Sequence, residues 1–258
     1  MYDLTDTTFI IPIKIETKER LENLWMILYF LTHNFDTNII VNEQGDTSKS
    51  VCESFKNVTY MQYSTDLKLI HKTKLLNDML MISSTPIVSS YDCDVLFYPQ
   101  QYVNSVELIR HNEADLVLPF DKYNLTITRD LMNPILQNGI EKYGEENLRK
   151  HMPERVAPGG CAFVRADIYK RGGGENEYFI AYGPEDEERL YRFRTLGYRV
   201  VRINGNLFHI EHPRTINSME GHKYSKNNWE MWNAISRMDK EELEEFIKTW
   251  EWYEKLNK

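Results

Sequence analysis

Three short stretches hold residues whose types and spacing could do chemistry. In IVSSYDCDVLFYPQ (87–100) an apolar run ends on Asp92 and Asp94, one residue apart. Two carboxylates crowded at a strand end repel each other unless a cation sits between or beside them. Hard oxygen ligands suit Mn2+ or Mg2+, and those ions bind diphosphates. A D-x-D there can therefore hold a nucleotide diphosphate through a metal. Aspartate is equally at home in the turn after a strand, and on these residues alone the two readings stand level. In FHIEHPR (208–214), His209 and His212 lie three apart. Imidazole is the commonest nitrogen ligand and Mn2+ accepts mixed nitrogen and oxygen donors, although an isolated H-x-x-H is more often a surface pair. Arg214 beyond them faces either a phosphate or solvent. In GPEDEE (183–188), acids in a helix's first turn suit the helix dipole, which explains the run without any function. An acid there, beside a glycine-rich loop, can equally face a cleft. Adjacent helical side chains diverge by ~100°, so Glu185 and Asp186 point at different atoms. One could bind a hydroxyl while the other takes its proton.

The elements that must position these residues alternate in the first half. Strand patterns at 7–13, 37–42, 57–62 and 85–92 are interleaved with helical spacing over 16–31 and 71–83. This β-α-β succession predicts a parallel sheet covered by helices, with ligands beyond the carboxyl ends of the strands. Asp92 and Asp94 sit at such an end. Further strands are expected at 115–120, 124–129, 159–165 and 198–203. RGGGENE (171–177) reads as a loop, because consecutive glycines hold a helix poorly. Pro184, the acids after it, the late arginines and Gly197 predict a helix over 184–197. Two closing helices are expected at about 226–236 and 239–256, the second capped by Asp239.

With 258 residues, 41% of them hydrophobic and 27% charged, the chain has the make-up of a soluble globular protein. A net charge of −8 argues against a broad nucleic-acid-binding surface. The three cysteines, Cys52, Cys93 and Cys161, form neither a zinc pattern nor a disulfide framework, as expected of a reducing compartment. No stretch approaches the ~20 apolar residues of a membrane span, and the amino-terminal run is too short for a signal peptide. A cytoplasmic protein is expected, with a peripheral membrane contact left open.

In chain order, IIPIKIETKERLENL, HKTKLLN, YDCDV, PGGCAF, GGGENEYFIAYGPEDEERLYRFRTLGYRV and FHIEHPR resemble the GT-A glycosyltransferases. Within that group the chain is similar to the beta-1,4-galactosyltransferase C-terminal domain and to chondroitin-polymerase-type enzymes. KLLN before a D-x-D, then a Gly-Gly strand and a G-x-E-D-x-E helix, is the specific part. The resemblance implies an α/β GT-A fold with a mainly parallel central sheet flanked by helices. It puts the transferase domain at 1–225 and a C-terminal helical extension, packed on the same domain, at 226–258.

What the resemblance implies can be set on individual residues. Pro12 and Glu16 belong to the first loop lining the nucleotide pocket, with Arg20 adding charge. Glu43 falls where the family keeps an acid for the uracil ring. Lys72 and Lys74 fall where basic residues lie near the nucleotide. Asp94 corresponds to the direct metal ligand, and Asp92 to the residue holding the ribose or a metal-bound water. Gly160 lets the backbone approach the donor sugar. Asp186 matches the catalytic base and Glu185 its acceptor-binding neighbour. His212 matches the distal metal ligand, with His209 a second candidate. Tyr182 stands where the galactosyltransferases usually carry a tryptophan that contacts sugars, and Pro184 where they carry a glycine. Tyr178 and Phe179 are either sugar-stacking or packing residues. The glycine loop 171–177 is expected to close over the donor.

The implied activity is metal-dependent, inverting transfer of a sugar from a UDP-sugar to a glycan or glycolipid hydroxyl, with Mn2+ or Mg2+ as cofactor. Two other classes compete. A sugar-phosphate nucleotidyltransferase would carry a glycine- and arginine-rich phosphate loop after the first strand, and IPIKIETKER has no glycine. A non-catalytic nucleotide- or glycan-binding protein of the same fold would not need the acids of GPEDEE.

Overall fold

The computed structural model of the chain describes residues 1–142, 148–151 and 156–258. The first apolar run is longer than its β-rich centre suggests. β1 (Tyr2–Ile13) runs through Pro12. That proline lies beyond the last β4 partner of the strand, Ile10 opposite Ser90, where a missing N–H is tolerated. After β1 come α1 (Lys18–Asn34), β2 (Phe35–Glu43), α2 (Lys49–Glu53), β3 (Val58–Gln62), α3 (Lys72–Ile82) and β4 (Ile87–Tyr91). β2 lies on one side of β1 and β4 on the other, all three parallel. Right-handed crossovers in opposite directions put α1 and α3 on opposite faces of the sheet. Thr17 caps α1, its hydroxyl accepting from the Arg20 N–H.

The chain continues through β5 (Val95–Leu96), α4 (Pro99–Arg110), β6 (Leu116–Leu118), β7 (Asn124–Ile127), α5 (Met132–Asn138), β8 (Arg149–His151), β9 (Cys161–Arg165) and α6 (Ala166–Arg171). It closes through α7 (Glu185–Thr195), β10 (Val200–Arg202), β11 (Leu207–Ile210), α8 (Ser225–Ile235), α9 (Lys240–Lys248) and α10 (Tyr253–Leu256). Among the described residues the main sheet has seven strands in the order β10-β6-β9-β4-β1-β2-β3, and a smaller one has the order β5-β11-β7-β8. β9 alone runs antiparallel to its neighbours β4 and β6 in the large sheet. The α/β GT-A architecture expected from the sequence, a mostly parallel sheet flanked by helices, is the one found. The core is a continuous apolar layer in which the Phe9 ring meets Tyr91 and Phe163 edge-on and Tyr102 tilted, and Tyr91 stacks on Tyr102.

Strand direction positions the site. β1 and β4 end at one edge of the sheet, and antiparallel β9 begins there. The residues after Ile13, after Tyr91 and before Cys161 therefore meet. The crossovers diverge between β1 and β4, and that is where open α/β sheets bind ligands.

Two expectations are corrected, and one long helix is new. The helix α4 is not foreseen at all. The helix expected over 239–256 is two, α9 and α10, separated by a turn in which the Thr249 hydroxyl bonds back to the Phe246 carbonyl. The glycine loop after α6 is no lid. Arg192, fully buried, donates to the carbonyls of Gly172 and Gly174, and Trp252 Nε1 donates to that of Gly173 at 2.9 Å. A Cβ on Gly173 would lie 2.7 Å from the Trp250 ring, and Glu175 and Asn176 are buried. The C-terminal helices thus clamp the loop in place. No helix of the described residues is long and apolar enough to cross a membrane.

Candidate active site

The D-x-D leaves β4 under tight backbone control. The Asp92 N–H bonds the Gly160 carbonyl at 2.9 Å, which carries the β4–β9 ladder one residue further. The Asp94 carbonyl then accepts from the Ile210 N–H at 2.7 Å, and Val95 stands opposite His209 in the β5–β11 pair. As a result one oxygen of Asp94 and ring nitrogens of His209 and His212 all lie within 4.8 Å of one another. His212 Nε2 is 3.0 Å from Asp94 Oδ2, and Arg20 Nη1 is 3.8 Å from the same oxygen. Burial works against the Asp94 carboxylate, but the His212 hydrogen bond and the His209 and Arg20 charges outweigh it and hold its pKa below the ordinary range. Burial lowers the pKa of His209 and so favours its neutral form. The bond to Asp94 raises that of His212. His212 Nδ1 faces the Pro213 carbonyl at 2.9 Å. Donation from Nδ1 to that carbonyl would leave Nε2 as the ligating nitrogen. One ionised carboxylate, one imidazole biased to its neutral form and a second imidazole oriented by a backbone carbonyl fit a divalent cation such as Mn2+.

The second half of the site is built around Lys72, at the first position of α3. Its Nζ is 3.0 Å from Asp92, 3.6 Å from Glu185 and 3.7 Å from Asp186. Burial disfavours the ammonium, yet three carboxylates more than reverse this and its pKa is well above normal. The lysine expected near the nucleotide thus serves the acids. Glu185 and Asp186 open α7, and their environments push them apart. Burial raises the Glu185 pKa to about 8, against the pull of Lys72. Its Oε2 is buried without a hydrogen-bond partner. Asp186 is half-buried, which also disfavours its charge, but Lys72 and Arg189 keep its pKa below normal. Arg189, 1% exposed, donates to Asp186 Oδ1 at 2.6 Å and to the buried Glu175, which also accepts from the Tyr169 hydroxyl. One turn of α7 therefore carries two carboxyl groups whose pKa values are pushed in opposite directions, the separation that acid–base sites use. Gly159 gives that carboxylate room: a Cβ there would fall 1.8 Å from Asp186 Oδ2.

These groups line one cleft of about 620 Å³. Of the residues singled out in the sequence, Pro12, Glu16, Arg20 and Lys72 line it. So do Asp92, Asp94, Gly160, Tyr182, Glu185, Asp186, His209 and His212. Glu16 is held at the mouth by the Thr215 hydroxyl and by Asn217 Nδ2 at 2.7 Å. Gly160 takes φ +101°, a backbone that glycine adopts freely. Tyr182 is 42% exposed on the rim, and its carbonyl is fixed by Asn228 of α8 and by His222.

Glu43 and Lys74 do not line the cleft. Glu43 is fully buried at the end of β2, accepting from the Ser48 N–H (2.8 Å) and hydroxyl (2.6 Å), the Tyr60 hydroxyl (2.9 Å) and the Thr47 N–H (3.1 Å). With those bonds made it is a structural anchor. Lys74, two residues after Lys72 on α3, pairs with Asp78 and sits 5.9 Å above the Tyr63 ring. Phe179 is core, and Tyr178 packs edge-on against Trp252. Sequence reasoning missed Arg189, Gly159, Asn124 and Trp229. Arg189 is three residues after Asp186, the one signal that could have found it.

No protein-family model matches the sequence, and no curated protein matches it. The fold has a counterpart. This chain is built like TarS. The crystal structure of S. aureus TarS 1–349, in complex with UDP-GlcNAc, matches with a TM-score of 0.61 at 14% identity, covering 92% of this chain and 69% of that one. At so low an identity the likeness to TarS establishes the fold, and the chemistry rests on the side chains described above.

Proposed function

We propose that this chain is a cytoplasmic, metal-dependent, inverting glycosyltransferase of the galactosyltransferase or chondroitin-polymerase type. It moves Gal, GalNAc, GlcNAc or Glc from a UDP-sugar to a hydroxyl of a glycan or glycolipid acceptor and forms a β-linkage. The observation that carries the reading is the convergence, in one cleft at the sheet edge, of an Asp–His–His cluster suited to a cation and the Glu185–Asp186 pair that opens α7. The UDP-GlcNAc bound to TarS supports a UDP-sugar as donor.

In this mechanism Asp94, His209 and His212 would hold Mn2+ or Mg2+, which would supply positive charge for the departing diphosphate. Asp92 and Arg20 flank that position, and Pro12 and Glu16 line the nucleoside end. Glu185 hydrogen-bonds the acceptor hydroxyl. Asp186, aimed by Arg189, takes the hydroxyl proton as the oxygen attacks the anomeric carbon from the face opposite the diphosphate. That geometry turns an α-linked donor into a β-linked product. Tyr182 and Trp229 offer ring faces to the sugars at the rim.

The test is a UDP-release screen with the four UDP-sugars, with and without Mn2+. The expected result is release from at least one donor that depends on Mn2+. Absence of release from all of them, with and without candidate acceptors, would contradict the reading.

A further inference from the structure

The glycine loop after α6 leads into Glu175, a residue the mechanism above does not use. Glu175 is 1% exposed and does not line the cleft. Both of its backbone groups are taken by one side chain of α3. The Glu175 N–H donates to Asn77 Oδ1 at 2.8 Å, and Asn77 Nδ2 donates to the Glu175 carbonyl at 2.9 Å. Gly174 makes this approach possible, since a Cβ there would collide with Asn77 Oδ1. Lys72, whose Nζ is 3.7 Å from Asp186, opens the same helix. α3 therefore fixes Glu175 and Lys72 together.

From that place the Glu175 carboxylate faces Arg189. A guanidinium often sets two of its nitrogens on one carboxylate, as a fork. Arg189 divides its terminal pair. Nη1 goes to Glu175 Oε1 at 2.5 Å and Nη2 to Asp186 Oδ1 at 2.6 Å. Its Nε is buried and makes no hydrogen bond among the described residues, so those two contacts set the plane of the group. The Tyr169 hydroxyl of α6 donates to the same Glu175 oxygen, and the Tyr169 ring meets Phe193 of α7 edge-on at 6.1 Å. Burial works against the Arg189 charge, and Glu175 offsets this more than Asp186 does. Without Glu175 the guanidinium would be tethered at one nitrogen. With Arg189 on Oδ1, Asp186 Oδ2 is left beside Gly159, on the cleft wall. The charged and titratable groups around Asp186 are Arg189 and Glu185 of its own helix, Lys72 of α3 and Asp92 after β4. A buried ion pair is by itself weak evidence of a role. The sharing of one guanidinium between two acids in line is what points beyond packing.

We propose that Glu175 is a positioning residue for the base. Braced by Tyr169 and Asn77, it holds Arg189 at the angle that occupies Oδ1 of Asp186 and leaves Oδ2 for the acceptor hydroxyl. This deepens the glycosyltransferase reading and rests on it for the role of Asp186. Glu175 touches no substrate and acts through Arg189 alone.

The experiment is a double-mutant cycle of Glu175→Gln, which keeps the shape and removes the charge, with Asp186→Asn. Each protein is read by UDP release with Mn2+ and by urea unfolding. Glu175→Gln should lower kcat about tenfold, with donor KM within about twofold of wild type. In the Asp186→Asn background the same change should alter the residual rate by less than about twofold, because the carboxylate it serves is gone. Unfolding should show the opposite coupling. The double variant should lose more of its urea midpoint than the two single losses together, because the buried Arg189 then has no counter-charge. Tyr169→Phe removes only a hydroxyl and should lower kcat about threefold, again only while Asp186 is present. Equal rate factors in both backgrounds would mean that Glu175 merely supports the fold. A Glu175→Gln kcat within about twofold of wild type would mean that Asp186 needs no brace, and either result overturns the proposal. Should Glu175→Gln not fold, the Tyr169→Phe rates decide. Absence of wild-type UDP release from every donor would instead remove the glycosyltransferase reading. The unfolding cycle alone would then decide, its coupling keeping the Glu175–Arg189–Asp186 relay and additivity overturning it.

Discussion

Gly159→Ala isolates the placement of Asp186, the proposed catalytic base. Gly159 has no left-handed backbone requirement, so the effect of the new methyl is steric. Its Cβ would stand 1.8 Å from Asp186 Oδ2, 2.2 Å from Cγ and 2.8 Å from Cβ. The carboxylate must retreat by ~1.5 Å to reach an ordinary van der Waals separation. Because even the Asp186 Cβ is too close, rotating the side chain does not suffice and the first turn of α7 must give. That shift breaks the 2.6 Å bond from Arg189, whose charge is buried. Overpacking of this kind costs about 1–3 kcal/mol, a few degrees in Tm for a chain of this size. A misplacement of about 1 Å at the reacting centre is worth ~10²-fold in rate. Steady-state UDP release with Mn2+ should therefore show kcat reduced by about two orders of magnitude, with a smaller change in donor KM. Turnover within a factor of about two of wild type would mean that Asp186 does not sit where the base must be.

Asp186→Asn keeps the shape and removes the base, and should lower transfer by ~10²–10⁴-fold while UDP binding persists; near-normal transfer would reassign the base. Glu185→Gln should abolish the alkaline limb that a group with pKa about 8 gives to the pH–rate profile. It also has a stability signature. Between the unfolded value of 4.5 and about 8 the folded state holds a proton that the unfolded chain has lost, so wild-type stability falls as pH rises through that window. The Tm of Glu185→Gln relative to wild type should then climb from pH 5 to pH 8, and a constant difference would refute the assignment. Glu43→Ala strands the Ser48 and Tyr60 hydroxyls and two backbone N–H groups, and should cost ~3 kcal/mol in denaturant unfolding. UDP affinity should be unchanged, and a selective loss of affinity would return Glu43 to the nucleotide pocket.

The parts of the site that local spacing encodes were legible. Asp92 and Asp94 end an apolar run, His209 and His212 follow another, and Glu185 and Asp186 open a helix with strong start and stop signals. Each of those features is written within a few residues, and the β-α-β order says which edge they share. What three-dimensional packing alone decides was not legible. Lys72 and Lys74 lie two apart on one helix, and only the fold turns the first to three carboxylates and the second to Asp78. Glu43 looks like a ligand until Ser48 and Tyr60 are seen to use up its oxygens. Helix α4 hid because Gln101 and Ser105 interrupt its apolar stripe; both are buried, with Gln101 donating to the Pro119 and Asn206 carbonyls and Ser105 to that of Gln101. The glycines at 172–174 suggest freedom in a one-dimensional reading. Their role is to let Trp250, Leu256 and the Asn77 side chain come close.

Calorimetric titration of UDP, with Mn2+ present and with Mn2+ removed by chelation, reaches furthest into the account. Wild type should bind UDP tightly only with the ion, and Asp94→Asn or His209→Ala should abolish that dependence. Equal UDP affinity under both conditions would contradict it.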